Sequence, residues 1–435
     1  MDRYSVAEVF GVNNKMVRSY LERTEVDGEF TEALKTDRHI VVYGSSKQGK
    51  TSLLSRHIEK EQAVIIECGP KTDCQAIYQS LLRQLDIRLE RTETQTSTTE
   101  GKVRAKIGLK AILPFLGGGD TEVETEGTRT GEKAKEFHPV EYNLELAQDV
   151  GELLARIKFN KFVVLENFHY LTDEIQTELS FDLRIFQDMG VRFIILGVWR
   201  EKNRLVVYNG DLADRITEVP VEPWSPDEFL QVMSNGSRLL NIEIDGQIQR
   251  DIIDASFGSI AIVQELCKTF VEISGVSETQ DSPLVLANPD YLKAAIEQKV
   301  SDYQARHLRA LEAIAGGLVT KRPKEGKFPL ILPYYTVRVI IESSLQDLLN
   351  GIGRLDLHDR IRRIHHRPPA EVRTGDITNL LNTFAYLQKE RRIAPPLFDY
   401  DQGARSLKVI DSTLYFYLAN VDKESLFEEI PNPLD

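Results

Sequence analysis

Cys68, Cys74 and Cys267 are the only three cysteines in a chain of 435 residues. They are odd in number and lack the spacing of zinc ligands, which argues against a disulfide framework and points to a reducing compartment. Long apolar runs are missing too: none reaches the ~20 residues of a membrane span, and the opening MDRYSVAEVF has no signal-peptide core. A cytoplasmic protein with no membrane partner is expected. Positive charge is scarce. With 54 Lys and Arg against 67 Asp and Glu the net charge is -13, so nucleic acid is not expected to bind over the whole surface and any basic face must be local. What remains, 41% hydrophobic and 28% charged, is ordinary globular composition, and the length implies two or three domains.

The stretch RHIVVYGSSKQGKTSLL, Arg38 to Leu54, organises the rest. Ile40 to Tyr43 form a β-branched and aromatic run that reads as a buried strand. Gly44, Ser45, Ser46, Lys47, Gln48, Gly49, Lys50 and Thr51 then give G-x-x-x-x-G-K-T, and Ser52 begins a helix. A phosphate-binding loop requires this strand, loop, helix context. The glycines let successive N–H groups and the positive helix end face a phosphate. Lys50 would reach the β- and γ-phosphates of ATP, the Thr51 hydroxyl would ligate Mg²⁺, and Lys47 is an additional cation within the loop.

Further along, Ala63 to Cys68 reads as a strand and Cys74 to Leu85 as a helix. Lys161 to Leu171, KFVVLENFHYL, places an acid, Glu166, after four apolar residues. This is the Walker B pattern, whose terminal carboxylate orients the Mg²⁺ shell. Val191 to Leu196 is the next buried strand and Ile216 to Val221 another, with Ser225 and Pro226 opening a helix between N-cap and first turn.

Together with Tyr20-Leu21-Glu22-Arg23 ahead of the first strand, these motifs resemble STAND and origin-recognition-type AAA+ ATPases. The resemblance implies an α/β fold: a P-loop NTPase core with a parallel sheet, a helical lid and a C-terminal winged-helix domain. It divides the chain into an N-terminal segment (1–37), a core (38–223) carrying an inserted arm at about 91–138, a lid (224–283) and a winged helix (284–435). In that family the segment before the first strand packs on adenine and ribose, which assigns Arg23 to the nucleotide, although Glu22 and Thr24 depart from the usual Gly and acid. Gly258, in the lid motif Phe257-Gly258-Ser259-Ile260, is assigned likewise. The family implies a γ-phosphate sensor at Arg200 and an arginine finger acting in a neighbouring subunit at Arg215. It also implies a second acid after Glu166 to activate water. Asn167 stands there instead, so slow hydrolysis is expected, with His169 two residues on as another base.

Within the insertion, Val103, Ala105, Ile107 and Leu109 alternate with Lys102, Arg104, Lys106 and Gly108, while Glu122, Glu124 and Glu126 follow a triple glycine. A basic strand facing an acidic strand would make a hairpin that needs a partner surface; a solvated loop is the other reading. In the last third, Thr374 to Arg391 reads as one helix, Leu397 to Tyr400 and Arg405 to Ile410 as a hairpin. Arg360, Arg362, Arg363 and Arg367 with His365 and His366 form the densest basic cluster, a candidate for DNA phosphates or for protein contacts.

The reading is an ATP-binding switch, with slow ATPase chemistry, that binds ATP or ADP with Mg²⁺ and controls conformation or assembly with a second copy or a partner protein. By analogy with bacterial relatives its setting is defence signalling. A DNA-bound loader or transposition helper and a non-hydrolysing scaffold stay open as alternatives.

Overall fold

In the computed structural model, which describes residues 2–12, 16–97, 103–112, 143–317 and 329–434 (backbone alone at 88–97 and 103–112), seven strands succeed one another through the first half of the chain. They are β1 (His39–Gly44), β2 (Ala63–Glu67), β3 (Arg88–Ser97), β4 (Val103–Ile112), β5 (Phe162–Glu166), β6 (Arg192–Val198) and β7 (Ile216–Pro220). Five form one parallel sheet in the order β2-β5-β6-β1-β7. The helices of this half are α1 (Val6–Val9), α2 (Thr24–Leu34), α3 (Lys50–His57), α4 (Cys74–Gln84), α5 (Ala147–Arg156), α6 (Asp173–Asp188) and α7 (Arg204–Tyr208).

A parallel sheet is covered on both faces, so its strands read as continuous apolar runs, and every residue of β1 is buried. Alternate residues divide between the faces. Ile40, Val42, Val164, Ile194 and Leu196 pack with Phe30 of α2 and with Leu53 and Leu54 of α3. Val41, Tyr43, Val163, Leu165, Phe193 and Ile195 pack with residues of α4, α5 and α6 on the other side. At ~1.5–3 kcal/mol per large apolar side chain, these two layers hold β1 in place and thereby position the loop that follows it.

The alternating strand Val103–Ile112 pairs antiparallel with Arg88–Ser97, Glu93 opposite Ile107 and Glu90 opposite Lys110; residues 122–126, the expected acidic partner, lie outside the described residues. The Thr and Glu residues of Arg88–Ser97 read as loop composition, so its strand is set by pairing with Val103–Ile112 and not by its own pattern.

Beyond the sheet, α8 (Pro226–Leu240), α9 (Gly246–Ser256) and α10 (Ile260–Ile273) form a helical block, edged by the parallel pair β8 (Ile242–Ile244) and β9 (Leu284–Leu286). α8 starts as the sequence requires. Ser225 Oγ accepts from the Glu228 N–H, the Glu228 carboxylate accepts from the Ser225 N–H, and Pro226 occupies the first turn. α11 (Pro289–Ala315) runs from this block, where Leu292 and Ala295 are buried, into a C-terminal block, where Leu311 and Ile314 are.

The C-terminal block contains α12 (Leu332–Glu342), α13 (Leu345–Asn350), α14 (Arg354–Ile364), α15 (Thr374–Asn382), α16 (Phe384–Glu390), α17 (Ser412–Asn420) and α18 (Lys423–Glu429). Its antiparallel sheet has β10 (Ile352–Gly353), β11 (Phe398–Asp401) and β12 (Ser406–Val409) in the order β10-β12-β11. The single helix expected over 374–391 is interrupted at Thr383. α17 is apolar almost all round because it is wedged between blocks: Phe416 packs with the helical block, Leu414, Tyr415 and Tyr417 with the C-terminal one.

α1 and Phe10 pack against α8 and α10, not against the sheet. Gly236 on α8 makes this possible, since a Cβ there would overlap the Phe10 ring. Gly236→Ala is therefore expected to lower stability by about 1–3 kcal/mol in urea titrations, with part of the loss recovered when Phe10→Leu is added. Equal stability of Gly236→Ala and wild type would show that the contact relaxes freely.

Candidate functional site

The loop between β1 and α3 turns at two glycines that no other residue replaces easily. Gly44 has φ 152°, and a side chain there would meet Val221 Cγ2 at 2.7 Å and Glu222 Oε2 at 3.2 Å. Gly49, with φ 93°, is the left-handed residue from which α3 starts. The loop thus lies at the C-terminal edge of the parallel strands, where such sheets bind their ligands. β6 intervenes between β1 and β5, so Arg200 and Glu166 follow strands one and two places from the loop.

Lys50 is 9% exposed and its ammonium donates to Gly44 O at 2.9 Å and Ser45 O at 2.7 Å. Burial pushes it down to about 8, opposed by the nearby Glu222 carboxylate. That carboxylate accepts from the Ser45 N–H at 2.6 Å, and the Ser46 N–H donates to Ile410 O at 2.9 Å. Ser412 Oγ donates back to Ser46 O at 3.2 Å. Gln48 is also buried, and its side-chain oxygen accepts from the Ile260 N–H at the start of α10, 3.4 Å away. The loop is therefore held by sheet, helical block and C-terminal block at once.

Two cavities flank it. The first, of about 250 Å³, is lined by Lys47, Gln48, Gly49, Lys50, Thr51 and Ser52, by Val17, Ser19, Tyr20, Leu21 and Arg23, and by Trp224, Ile260 and Gln264. The second, of about 510 Å³, is lined by Gly44, Ser45, Arg200, Glu222, Gly258, Ser412 and Tyr415, and shares Gln48 and Trp224 with the first. Ser46 lies in the loop between them.

Arg23 is 7% exposed, donates to Glu228 Oε1 at 2.7 Å, Val221 O at 2.8 Å and Pro223 O at 2.7 Å, and sits over the Trp224 ring at 4.1 Å. Its charge is thus satisfied inside the protein, and what it does is clamp the first cavity's wall to the end of β7. Asp27 ties the same wall to α3: it accepts from Tyr20 Oη and the Arg23 N–H, both at 2.7 Å, and faces His57 Nε2 at 2.6 Å.

Glu166 ends β5, and burial, then the neighbouring Glu67, raise its pKa. Asn167 is exposed and adopts φ 56°, a left-handed conformation that Asn tolerates better than Glu. Backbone geometry therefore disfavours Glu at this position, while Asn and Asp both suit it. His169 follows; both its ring nitrogens are shielded without a partner among the described residues, and burial, then Lys50 and Arg204, push it down to about 3. It is a neutral imidazole beside two cations.

Arg200 donates to Leu349 O at 3.1 Å and to Tyr415 Oη at 3.3 Å, joining the end of β6 to the C-terminal block. Arg215 is not brought to its own chain's loop. It precedes β7, at the opposite edge of the sheet, and pairs with Asp188 at 2.7 Å. The basic cluster is largely engaged: Arg360 with Asp347 at 3.0 Å and Asp356 at 2.8 Å, Arg362 with Pro369 O at 3.0 Å, Arg367 with Glu371 at 3.4 Å, while Arg363 is exposed.

Glu222, Gln264, Ile410 and Ser412 were not anticipated as site residues. Trp224, one of two tryptophans and close behind a strand, was the signal available for that wall.

No protein-family model and no curated protein matches the chain. Among solved structures it is similar to a Walker-type ATPase of Pyrococcus abyssi (13% identity, 94% of this chain and 99% of that one, TM-score 0.47). It is similar also to the Aeropyrum pernix ORC1 protein in complex with DNA (10%, 98% and 97%, 0.43) and to the RuvB Holliday junction branch migration motor of Thermotoga maritima (12%, 95% and 96%, 0.38). The fold class rests on the strand order and loop described above: an α/β P-loop NTPase core with a five-stranded parallel sheet. Among the described residues no helix is long and apolar enough to cross a membrane.

Lys50→Ala is expected to weaken ATP binding at least about 100-fold, through loss of charge-assisted contacts worth roughly 1.5–3 kcal/mol each. The fold should persist, since a desolvated ammonium is itself a cost. Isothermal titration on a variant with unchanged circular dichroism checks this; undiminished affinity would rule the loop out as the phosphate site.

Proposed function

We propose that the chain is an ATP-operated conformational switch with slow hydrolysis, built of a core (38–223), a lid (224–283) and a winged-helix unit (284–435). The observation that carries this reading is the 2.9 Å hydrogen bond from the Ser46 N–H to Ile410 O, which makes the phosphate-binding loop itself part of the contact with the C-terminal block. The order β10-β12-β11 beside α14 and α15 supports the winged-helix reading.

The residues present fit ATP with Mg²⁺. Gly44 to Ser52 would cradle the phosphates, Lys50 would neutralise the β- and γ-phosphates, and Thr51 with Glu166 would hold the ion, which when bound offsets phosphate charge. Phosphates entering beside Ser45 and Lys50 would compete with the Glu222 carboxylate for the same donors. Arg23 orders the wall on which the base would lie, and Gly258 borders the second cavity, next to Arg200. Arg200 would report the γ-phosphate to Tyr415 and Leu349. Arg215, remote from its own loop, is left for a neighbouring copy in an assembly.

The switch is tested by hydrogen exchange. Saturating ATP should speed exchange of the amides from Ile410 to Tyr415 by about tenfold or more, equivalent to ~1.4 kcal/mol of lost protection, and should not do so in Lys50→Ala. Protection of this segment that ATP leaves unchanged would overturn the coupling.

Asn167 cannot accept a proton, which accounts for slow turnover in this reading, and His169 is the neutral base nearest in sequence. Asn167→Asp preserves tolerance for the left-handed backbone and supplies a carboxylate, so single-turnover hydrolysis should accelerate at least about tenfold with unchanged ATP affinity. No acceleration would show that a proton acceptor is not what the site lacks.

DNA docking through Arg360, Arg362, Arg363 and Arg367 is the second reading. The exposed Arg363 favours it; the internal pairing of Arg360 and Arg367 favours a structural role for the cluster.

A further inference from the structure

Immediately after β6 the chain leaves the sheet and meets the C-terminal block at a cluster of ionisable side chains. Arg204 of α7 pairs with Asp399 of β11 at 3.1 Å, both side chains mostly buried. Lys408 of β12 pairs with Asp401 of β11 at 2.6 Å. Each cation is thus matched by one aspartate. Glu201 is the acid left over. It is 8% exposed, and no hydrogen bond or ion pair among the described residues reaches its carboxylate. A side chain at Gly403, in the β11–β12 turn, would meet Asp401 Oδ1 at 3.4 Å and Glu201 Oε1 at 4.0 Å, so two carboxylates converge on one turn. A small cavity of about 50 Å³ at this junction also takes polar groups from Asp173, Tyr208, Asn382, Tyr400 and Gln402, with the Tyr208 hydroxyl donating to Asp173 at 3.1 Å.

We propose that Glu201, set against Asp399 and Asp401 with Arg204 and Lys408 already paired, is a proton-operated latch between the α/β core and the C-terminal block. A buried carboxylate with no partner and like charges nearby holds its proton, because ionising it costs both desolvation and repulsion. Burial pushes Glu201 up to about 7; Arg204 opposes it, Asp399 and Asp401 add to it, and Lys408 opposes it again. In the separated state it is exposed and ionises as an ordinary carboxyl group. The joined state therefore binds the extra proton, and the sign follows from linkage. The latch contributes fully below the ordinary carboxyl range, and its contribution is lost as pH rises through about 7.

The latch does not depend on the nucleotide reading, but it is wired to that site. Trp199 bridges to Gly44 through the backbone, and Arg204 lies over the Trp199 ring at 5.3 Å. Opening the latch frees the segment that touches the first residue of the phosphate-binding loop.

The test is energy transfer between dyes at Glu152→Cys on the core and Glu428→Cys on the C-terminal block, both exposed positions, in the full-length protein; the native cysteines are buried. Between the ordinary carboxyl range and about pH 7 the joined-to-open ratio should fall with rising pH, by at most about tenfold per pH unit for one proton, and it should level off above that. Glu201→Gln, a neutral isostere, should hold the joined state across the range. Asp401→Asn, which releases Lys408 to pair with Glu201, should move the response to lower pH. A flat wild-type profile, or an unchanged pH response in Glu201→Gln, would overturn the proposal.

Discussion

Backbone amides that turn away from their own strand need partners, and the loop from Gly44 to Gly49 is built from such amides. In this protein the Ser45 N–H finds the Glu222 carboxylate after β7 and the Ser46 N–H finds the Ile410 carbonyl before α17, while the carbonyls of Gly44 and Ser45 accept from the Lys50 ammonium. Gln48 acts in the other direction, accepting from the first amide of α10. A buried N–H left unpaired costs about 1–3 kcal/mol, so under the proposed function a ligand that took over any of these donors would alter the balance between blocks. The sheet is the fixed reference, because β1 is buried on both faces and every residue of it is shielded.

This arrangement explains why α17 is so apolar. A helix that packs the helical block with Phe416 and the C-terminal block with Leu414 and Tyr417 has no face left for water. Its polar contacts gather at the N-terminal end: Asp411, fully buried, accepts from Arg306 and from the Thr413 N–H and hydroxyl, and burial of Asp411 is offset by those charge-assisted bonds, which hold its pKa below the usual carboxylate range. His307 beside it donates or accepts at Thr413 Oγ1 and is kept neutral, burial pushing it down to about 4. The carbonyl that meets Ser46 is thus held on a rigid support.

Charged residues divide by how their charge is used. Arg23, Arg200 and Arg204 are all at joints between blocks, and each satisfies carbonyls or carboxylates across a joint instead of facing solvent. An arginine fork suits such joints, since several donors are fixed in one plane and less side-chain freedom is lost per bond. Arg360 shows the same habit within the C-terminal block.

Much of the core was legible in the sequence because its signals are local. The β-branched run before Gly44, the glycine spacing, the acid after Phe162 to Leu165, and Ser225-Pro226 each report on neighbours within a few residues, and local sterics and capping leave little choice. Asn167 was legible as a departure, yet only the backbone showed its left-handed turn. The strand partner of Val103–Ile112 was not legible, because pairing is decided between segments and a run of Thr and Glu reads equally as loop. Nor could any periodicity reveal that Glu222, Ile410 and Ser412 meet the loop, that Arg23 is engaged by carbonyls, or that Glu201 is left unpaired among Asp399 and Asp401. Those contacts join residues more than one hundred and fifty positions apart, and they exist only once packing has brought the blocks together. The phosphate-binding loop and its sheet follow from the order of residues along the chain. Which distant groups compete for the loop's donors follows from packing alone, since desolvation and partner choice are properties of the folded interior.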